Sequence, residues 1–404
     1  MTTNTQRQAS ARSAFKIGAF CVLTYLINYY IRKLLPVLST DMTASGFSEI
    51  VYGLISSTYM IAYSVGQLVN GIIGDYIKPK YMVPAGLMLS SAGLFLFSLT
   101  KAHVWAIVGF GIVGFGLSMM RGPLVKVISE NMEVKYARIS CTFLSFVSFA
   151  GPLLVGLVAA FMEWQSVFIF SAFLTLLVAA LIFVVLTTFE RRGLIRPMES
   201  GSGRQKREKG DFWRVFGLKN FVVYIFIGMI IETLDSSLDQ WLTIFFSDHL
   251  LLPDATSKIV YYVISTLRAL CPFISLLFFK LFRGQDLVLI RVAYSVTAAL
   301  FLLMLFVPNA YISVVLLTLA LMCASVSSST MWSIYIPSLG KSGKVSSVNG
   351  ILDCFGYAGA SVMNMVFALL NTHFGGNGLI LAWVALPLLG VILTLFGKKD
   401  VESE

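Results

Sequence analysis

Apolar residues fill this chain in long blocks, and short polar turns separate them at a nearly regular spacing. Runs such as "LLVGLVAAF" are unbroken, unlike the alternating segments of a membrane β-barrel. Twelve blocks stand out, at about 14–37, 48–74, 81–100, 103–127, 138–162, 165–188, 219–247, 255–282, 287–307, 309–336, 345–371 and 377–396. Each approaches the roughly 20 residues that carry an α-helix across a bilayer, and the longer ones allow tilt or protrusion. The pattern predicts an all-α membrane protein with twelve transmembrane helices.

One polar interruption is longer than the rest. Between blocks six and seven lies "ERRGLIRPMESGSGRQKREKGDFWR", basic and containing Gly and Ser. It reads as a linker over 189–218 joining an N-terminal six-helix half (1–188) to a C-terminal one (219–404). Two such halves around one linker is an arrangement used by secondary transporters built from repeats. The charge of the linker also suits anionic lipid head groups.

Composition sharpens this reading. The chain is 57% hydrophobic and only 12% charged, against about 25% charged in soluble domains. A net charge of +10 would suggest nucleic acid in a soluble protein, but here it reads as topology, and no nucleic-acid partner is expected. Arg7, Arg12, Lys16, Lys78, Lys80, Lys135, Arg138, Arg283, Lys341, Lys344, Lys398 and Lys399 fall in one set of loops; the other set holds little beyond Lys101 and Lys258. By the positive-inside rule both termini are cytoplasmic, in a multi-pass protein of the cell membrane. "MTTNTQRQASARSAFKIGAF" resembles a signal peptide, but its apolar run is long and lacks a clear cleavage site, so it reads as a retained first helix.

Chemistry of other kinds finds little support. Cys21, Cys141, Cys271, Cys323 and Cys354 lie apart in apolar blocks and read as small hydrophobes. His103, His249 and His373 fall at block ends, so no histidine-based metal or acid–base centre is expected. No "GxxxxGK[ST]" segment is present, so nucleotide hydrolysis does not drive the protein. The expectation is a monomer, not an enzyme, with no cofactor and no metal, whose partners are a small-molecule solute and membrane lipid.

The loop after span two reads "GIIGDYIKPK", with Gly71 and Gly74 ahead of Asp75 and Lys80. Small residues allow close helix contact, Asp75 can accept from a neighbouring helix end, and Lys80 can pair with an acid. This stretch resembles the loop 2–3 signature of the major facilitator superfamily, which implies the major facilitator fold. The counterpart after span eight, "FFKLFRGQDLVLIR", lacks the matching acid. "YIRKLLPVL", "IAYSVGQLVNGIIGDYIKPK", "VPAGL" and "FGYAGASV" resemble, more narrowly, the organophosphate:phosphate antiporter branch. In that branch one arginine in span one and another in span seven clamp phosphate. The resemblance sets Arg32 and Lys33 on the first motif and Tyr63 on a cavity tyrosine. It sets Asp235 where the second arginine would be, and Gln67 where a lysine is common. Half of the phosphate clamp is therefore missing.

Helical spacing sorts the remaining polar residues. Tyr25, Asn28, Tyr29 and Arg32 share one face of span one, while Lys33 lies about 100° around and is placed to snorkel. Intramembrane charges face a cavity, which makes Arg32 a substrate-binding candidate. Glu232, Asp235 and Asp239 share a face of span seven. Three close carboxylates cannot all stay ionised in low dielectric, so they are candidates for proton coupling or gating. Arg32 is expected to face Asp235 across the pathway. Arg121, ahead of Gly122-Pro123 in span four, could supply further positive charge. Arg268 shares a face with Tyr261 and Ser265, and Asn349, Asp353 and Tyr357 form a stripe in span eleven. Arg121, Arg268, Asn349 and Tyr357 join the substrate-binding candidates, and Asp353 joins the coupling group. "GFGIVGFG" in span four reads as close packing, Gly151-Pro152 in span five as a bend, and "SVSSSTMW" in span ten as hydroxyls for a solute or for their own helix.

These residues predict a secondary active transporter of a small polar organic anion or zwitterion, working by alternating access with proton coupling. An organophosphate/phosphate antiporter and a transporter-like solute sensor are the alternatives.

Overall fold

The computed structural model describes residues 11–38, 41–42, 45, 49–99, 103–196 and 211–397. Helices dominate: α1 (Ala11–Val37), α2 (Glu49–Gly74), α3 (Pro79–Leu99), α4 (His103–Leu117), α5 (Arg121–Asn131), α6 (Val134–Phe146), α7 (Ala150–Ala159) and α8 (Trp164–Arg191) come first. Then follow α9 (Phe221–Ile244), α10 (Asp254–Ala269), α11 (Cys271–Leu281), α12 (Asp286–Met304), α13 (Ala310–Thr330) and α14 (Val345–Leu395). Within α14 the backbone breaks at Gly375, whose φ of 59° suits a residue without a Cβ.

Among the described residues nine helical stretches are long and apolar enough to cross a membrane, or ten if the pair Ile259–Ala269 and Cys271–Leu281, bent by 42°, forms one span. The sequence pattern suggests twelve, and the two extra blocks have identifiable weaknesses. α2 carries Gln67, Asn70 and several hydroxyls, which dilute its apolarity. The fifth block is cut by a 3₁₀ turn at Val147–Phe149, so neither α6 nor α7 is long enough alone. The break in span four lies at residues 118–120, ahead of Arg121. Gly122 and Pro123 sit inside the first turn of α5, where the missing proline N–H has no helical partner to lose.

The chain groups into two compact units, residues 1–215 with 336–351 and residues 216–335 with 352–404. In the first, α3 packs on α4 and α8. Glycine makes the first of these contacts close: a Cβ at Gly93 would stand 2.5 Å from the carbonyl oxygen of Gly109. α8 buries Val167, Ser171, Thr175, Ile182 and Leu186 and turns Phe173, Leu177, Leu181 and Val184 outward, the division expected where lipid is the solvent. In the second unit α13 packs on α11 and α12. Trp383 is buried against Phe245 and Phe301, and its indole N–H donates to Ser237 Oγ at 3.1 Å, which satisfies the one polar atom of the ring.

Candidate functional site

The first unit holds Arg32 on tyrosine faces. Its guanidinium carbon lies 5.0 Å from the Tyr63 ring centre and 6.0 Å from that of Tyr29. Tyr29 meets Tyr25 edge-on at 5.2 Å, and Tyr63 stacks on Tyr59 at 5.9 Å. α1 supplies Arg32 and Tyr29 three residues apart on one face, and α2 supplies Tyr59 and Tyr63 four apart. A cation over such faces gains about 0.5–2 kcal/mol without formal neutralisation by the rings. Arg32 and Lys33 are both half-buried, so burial does not separate them. One turn away, Asn28 Nδ2 donates to the Leu117 carbonyl at 3.1 Å and lies 3.4 Å from Met120 Sδ. It thereby holds the break between α4 and α5. Gln67 is buried in α2, and its Nε2 has no hydrogen-bond partner among the described residues. Arg121 is half-buried at the start of α5.

The α2–α3 loop forms a second constellation in the same unit. Asp75 accepts from the backbone N–H of Ser346 at 3.0 Å, from that of Ser347 at 3.1 Å, and from the Ser347 hydroxyl. These donors open α14, whose first N–H groups lack helical partners and favour an anion. Burial pushes the Asp75 carboxyl above its ordinary range, opposed by the Ser347 hydroxyl and the Lys126 charge. Gly71 allows the approach, since a Cβ there would stand 2.8 Å from Gly350 Cα. One at Gly74 would collide with Ser346 Oγ. Lys80 pairs with Glu190 of α8, which Lys78 also reaches at 3.4 Å.

The second unit holds its arginine by a carboxylate. Arg268, near the end of α10, pairs with Asp235 of α9, and its Nε donates to Ser325 Oγ of α13 at 2.9 Å. Within its own unit, Asp235 thus has Arg268 as a paired cation. Helical spacing fixes which residues share a face, and the packing of α9 beside α10 and α13 brings these three side chains together. Glu232 lies against α14, where a Cβ on Gly356 would meet its Cγ. Asp353 and Asn349 are buried and Tyr357 is half-buried, all on α14. Asn349 belongs to the first unit, Asp353 and Tyr357 to the second. The Asp239 side chain lies outside the described ones.

Four contributors escaped the sequence reading. Lys126 is buried in α5, and its Nζ donates to the carbonyls of Gly74 at 3.2 Å and Asp75 at 2.7 Å. A cation thus sits at the carbonyl end of α2. A lysine at membrane depth was the available signal. Ser346 and Ser347 were marked only by two hydroxyl residues opening an apolar block, and Glu190 only by an acid in a basic stretch.

A family model described as Major Facilitator Superfamily matches residues 19–362. The chain belongs to the major facilitator superfamily. Members of this family are transporters and not enzymes, and the long apolar helices fit a multi-pass membrane protein. The glycerol-3-phosphate transporter of Bacillus subtilis (strain 168) is 23% identical over 192 residues, 45% of this chain and 43% of that protein. A probable hexose phosphate transport protein of Chlamydia trachomatis is 29% identical over 97 residues, 23% of this chain and 21% of its own length. The matches thus span less than half of these curated relatives. Among solved structures, the superfamily transporter FucP in the outward conformation superposes with a TM-score of 0.71 at 15% identity, over 96% of this chain and 100% of that one. The proton:xylose symporter XylE, bound to 6-bromo-6-deoxy-D-glucose, gives 0.70 at 12% identity, over 96% and 95%. At such identities these structures establish the fold alone.

Proposed function

We propose that this major facilitator protein is a proton-coupled secondary transporter of a small polar organic anion or zwitterion. It works by alternating access through twelve spans in two six-helix halves, 1–188 and 219–404, joined by a cytoplasmic linker, with both termini cytoplasmic in the cell membrane. The observation that carries the reading is the Asp235–Arg268 pair, bound to Ser325. A carboxylate tied to a guanidinium at membrane depth can take up a proton and loosen its arginine, and Arg32 offers a second positive site. Arg32, Tyr25, Asn28, Tyr29, Tyr63, Gln67, Arg121, Arg268, Asn349 and Tyr357 would contact the solute. Glu232, Asp235, Asp239 and Asp353 would carry coupling or gating. Asp75, with Gly71, Gly74 and Lys80, would stabilise one conformation of the cycle by holding the start of α14.

Uptake into proteoliposomes with an imposed proton gradient tests this. Wild-type protein should accumulate its solute, and Asp235→Asn should lose the gradient's effect. Full gradient-driven uptake by Asp235→Asn would remove Asp235 from coupling.

A second reading is exchange of an organophosphate for inorganic phosphate. The two relatives' names favour it, and so does Arg268, which brings a guanidinium to the position where Asp235 replaces the clamp's second arginine. Phosphate loaded inside vesicles should then drive uptake of a sugar phosphate without a proton gradient. Binding without flux in either assay would favour a sensor.

A further inference from the structure

Beside the α2–α3 loop constellation, and sharing its Lys78, Lys80 and Glu190, the first unit carries a basic cavity. A shallow, solvent-open recess lies between the α2–α3 loop, α5 and the chain following α8. Among the described residues Lys78, Lys80 and Arg196 line it with one acid, Glu190, and Val127 and Leu186 give it an apolar wall. Arg196 is placed by a defined turn. Gly193 takes a φ of 65°, Leu194 N donates to the Phe189 carbonyl at 2.9 Å, and Arg196 N donates to Asn131 Oδ1 at 2.7 Å. Glu190 engages both lysines, so one negative charge draws two positive ones together beside a third. Glu130 acts on Arg196 from α5, but it also faces Lys126, so it does not cancel the excess.

The apolar surface beside the cavity indicates what would bring a negative charge there. Lys80 Nζ lies 5.2 Å from the Tyr81 ring centre, and the Tyr81 and Phe183 rings are 6.0 Å apart. Both rings are exposed, at 52% and 42%, and Phe183 stands one turn before Leu186 on α8. Cations above exposed aromatic surface at a helix end match a phosphate head group with its hydrocarbon chain.

We propose that this cavity binds the phosphate of an anionic glycerophospholipid through Lys78, Lys80 and Arg196, with an acyl chain lying over Tyr81 and Phe183. The head group competes with Glu190 for the two lysines. Lys78 and Lys80 follow Asp75 by three and five residues, so lipid occupancy acts on the loop that holds the start of α14. Bilayer composition would in this way tune the transporter, whatever its solute.

Thermal unfolding of the full-length, delipidated protein in detergent tests the site with dioleoyl phosphatidylglycerol, dioleoyl phosphatidylcholine and inorganic phosphate. Phosphatidylglycerol should raise the Tm by a few degrees, while phosphatidylcholine and inorganic phosphate should not. Each variant is read as the shift from its own lipid-free Tm. Lys78→Gln with Arg196→Gln should lose at least half of the shift, and Arg196→Gln alone, which leaves the Glu190 pairs intact, should also reduce it. Lys206→Gln with Lys209→Gln removes equal charge from the linker and should keep the full shift. An undiminished shift in the cavity variants, or an equal loss in the linker variant, would overturn the proposal. An equal shift with inorganic phosphate would make the cavity a soluble-anion site and overturn the lipid assignment.

Discussion

Arg32 and Arg268 are both arginines at membrane depth, and the protein holds them in opposite ways. Arg32 lies over the rings of Tyr63 and Tyr29, and Arg268 is tied to the carboxylate of Asp235. An aromatic ring engages the face of a guanidinium and adds no countercharge, whereas a carboxylate engages its edge and cancels its charge. The same residue type thus meets ring faces in one unit and a carboxylate edge in the other. The aspartates differ in their direct partners: Asp75 accepts from two backbone N–H groups and a hydroxyl, with the Lys126 charge nearby, and Asp235 pairs with a guanidinium.

Four substitutions can break or sharpen this contrast. The largest effect is expected from Arg32→Gln. A charge-assisted contact with an anionic solute contributes about 1.5–3 kcal/mol, so uptake at low solute concentration should fall by about ten- to a hundredfold, with the Tm little changed. Unchanged uptake would take Arg32 out of the solute site.

Arg268→Gln comes next and should appear as stability. Removing one partner of a buried pair costs about 3–5 kcal/mol; with side-chain exposures of 17% and 33%, about 2 kcal/mol is expected. Asp235→Asn added to it should restore most of the loss, as a double-mutant cycle on Tm would show. Additive losses would mean that the pair is not a coupled unit.

Tyr63→Leu should weaken solute binding about fivefold, the equivalent of about 1 kcal/mol of ring-face attraction. Tyr63→Phe, which keeps the face, should stay near wild type. Equal losses would assign the effect to the hydroxyl.

Asp75→Asn is expected to have the smallest effect, visible as a pH dependence. Burial raises the folded carboxyl above its ordinary 3.8. The stability this contributes is therefore complete below pH 3.8 and is lost as pH rises through the folded value. The Tm advantage of wild type over Asp75→Asn should shrink between pH 4 and pH 7. A widening gap would mean that the helix-end donors outweigh burial.

Much of the fold was legible because a bilayer demands long apolar blocks, and the polar stripes were legible because side chains three and four apart share a face. Arg32 beside Tyr29 follows from that spacing, and the family resemblance brought in Tyr63. The Arg268–Asp235 pair did not follow, because spacing sorts faces within one helix and only the packing of α9 beside α10 and α13 brings the two side chains together. Lys126 stood out as a lysine in an apolar block, but its partners were illegible for another reason. Its acceptors are backbone carbonyls at the end of α2, which any sequence would supply. Span counting falters at α2 and at the fifth block, since hydroxyls and a 3₁₀ turn lower the signal that the other blocks carry.

α14 has a consequence for which changes of length the protein tolerates. The helix opens at Val345 in the first unit and passes into the second between Ile351 and Leu352 without leaving helical geometry. One residue inserted there would rotate every later side chain by about 100° and advance it about 1.5 Å. Asp353, Gly356 and Tyr357 would then turn about the helix axis relative to Ser346 and Ser347. Substitutions at this junction change single contacts, but a one-codon insertion or deletion would re-index a whole helix face at once.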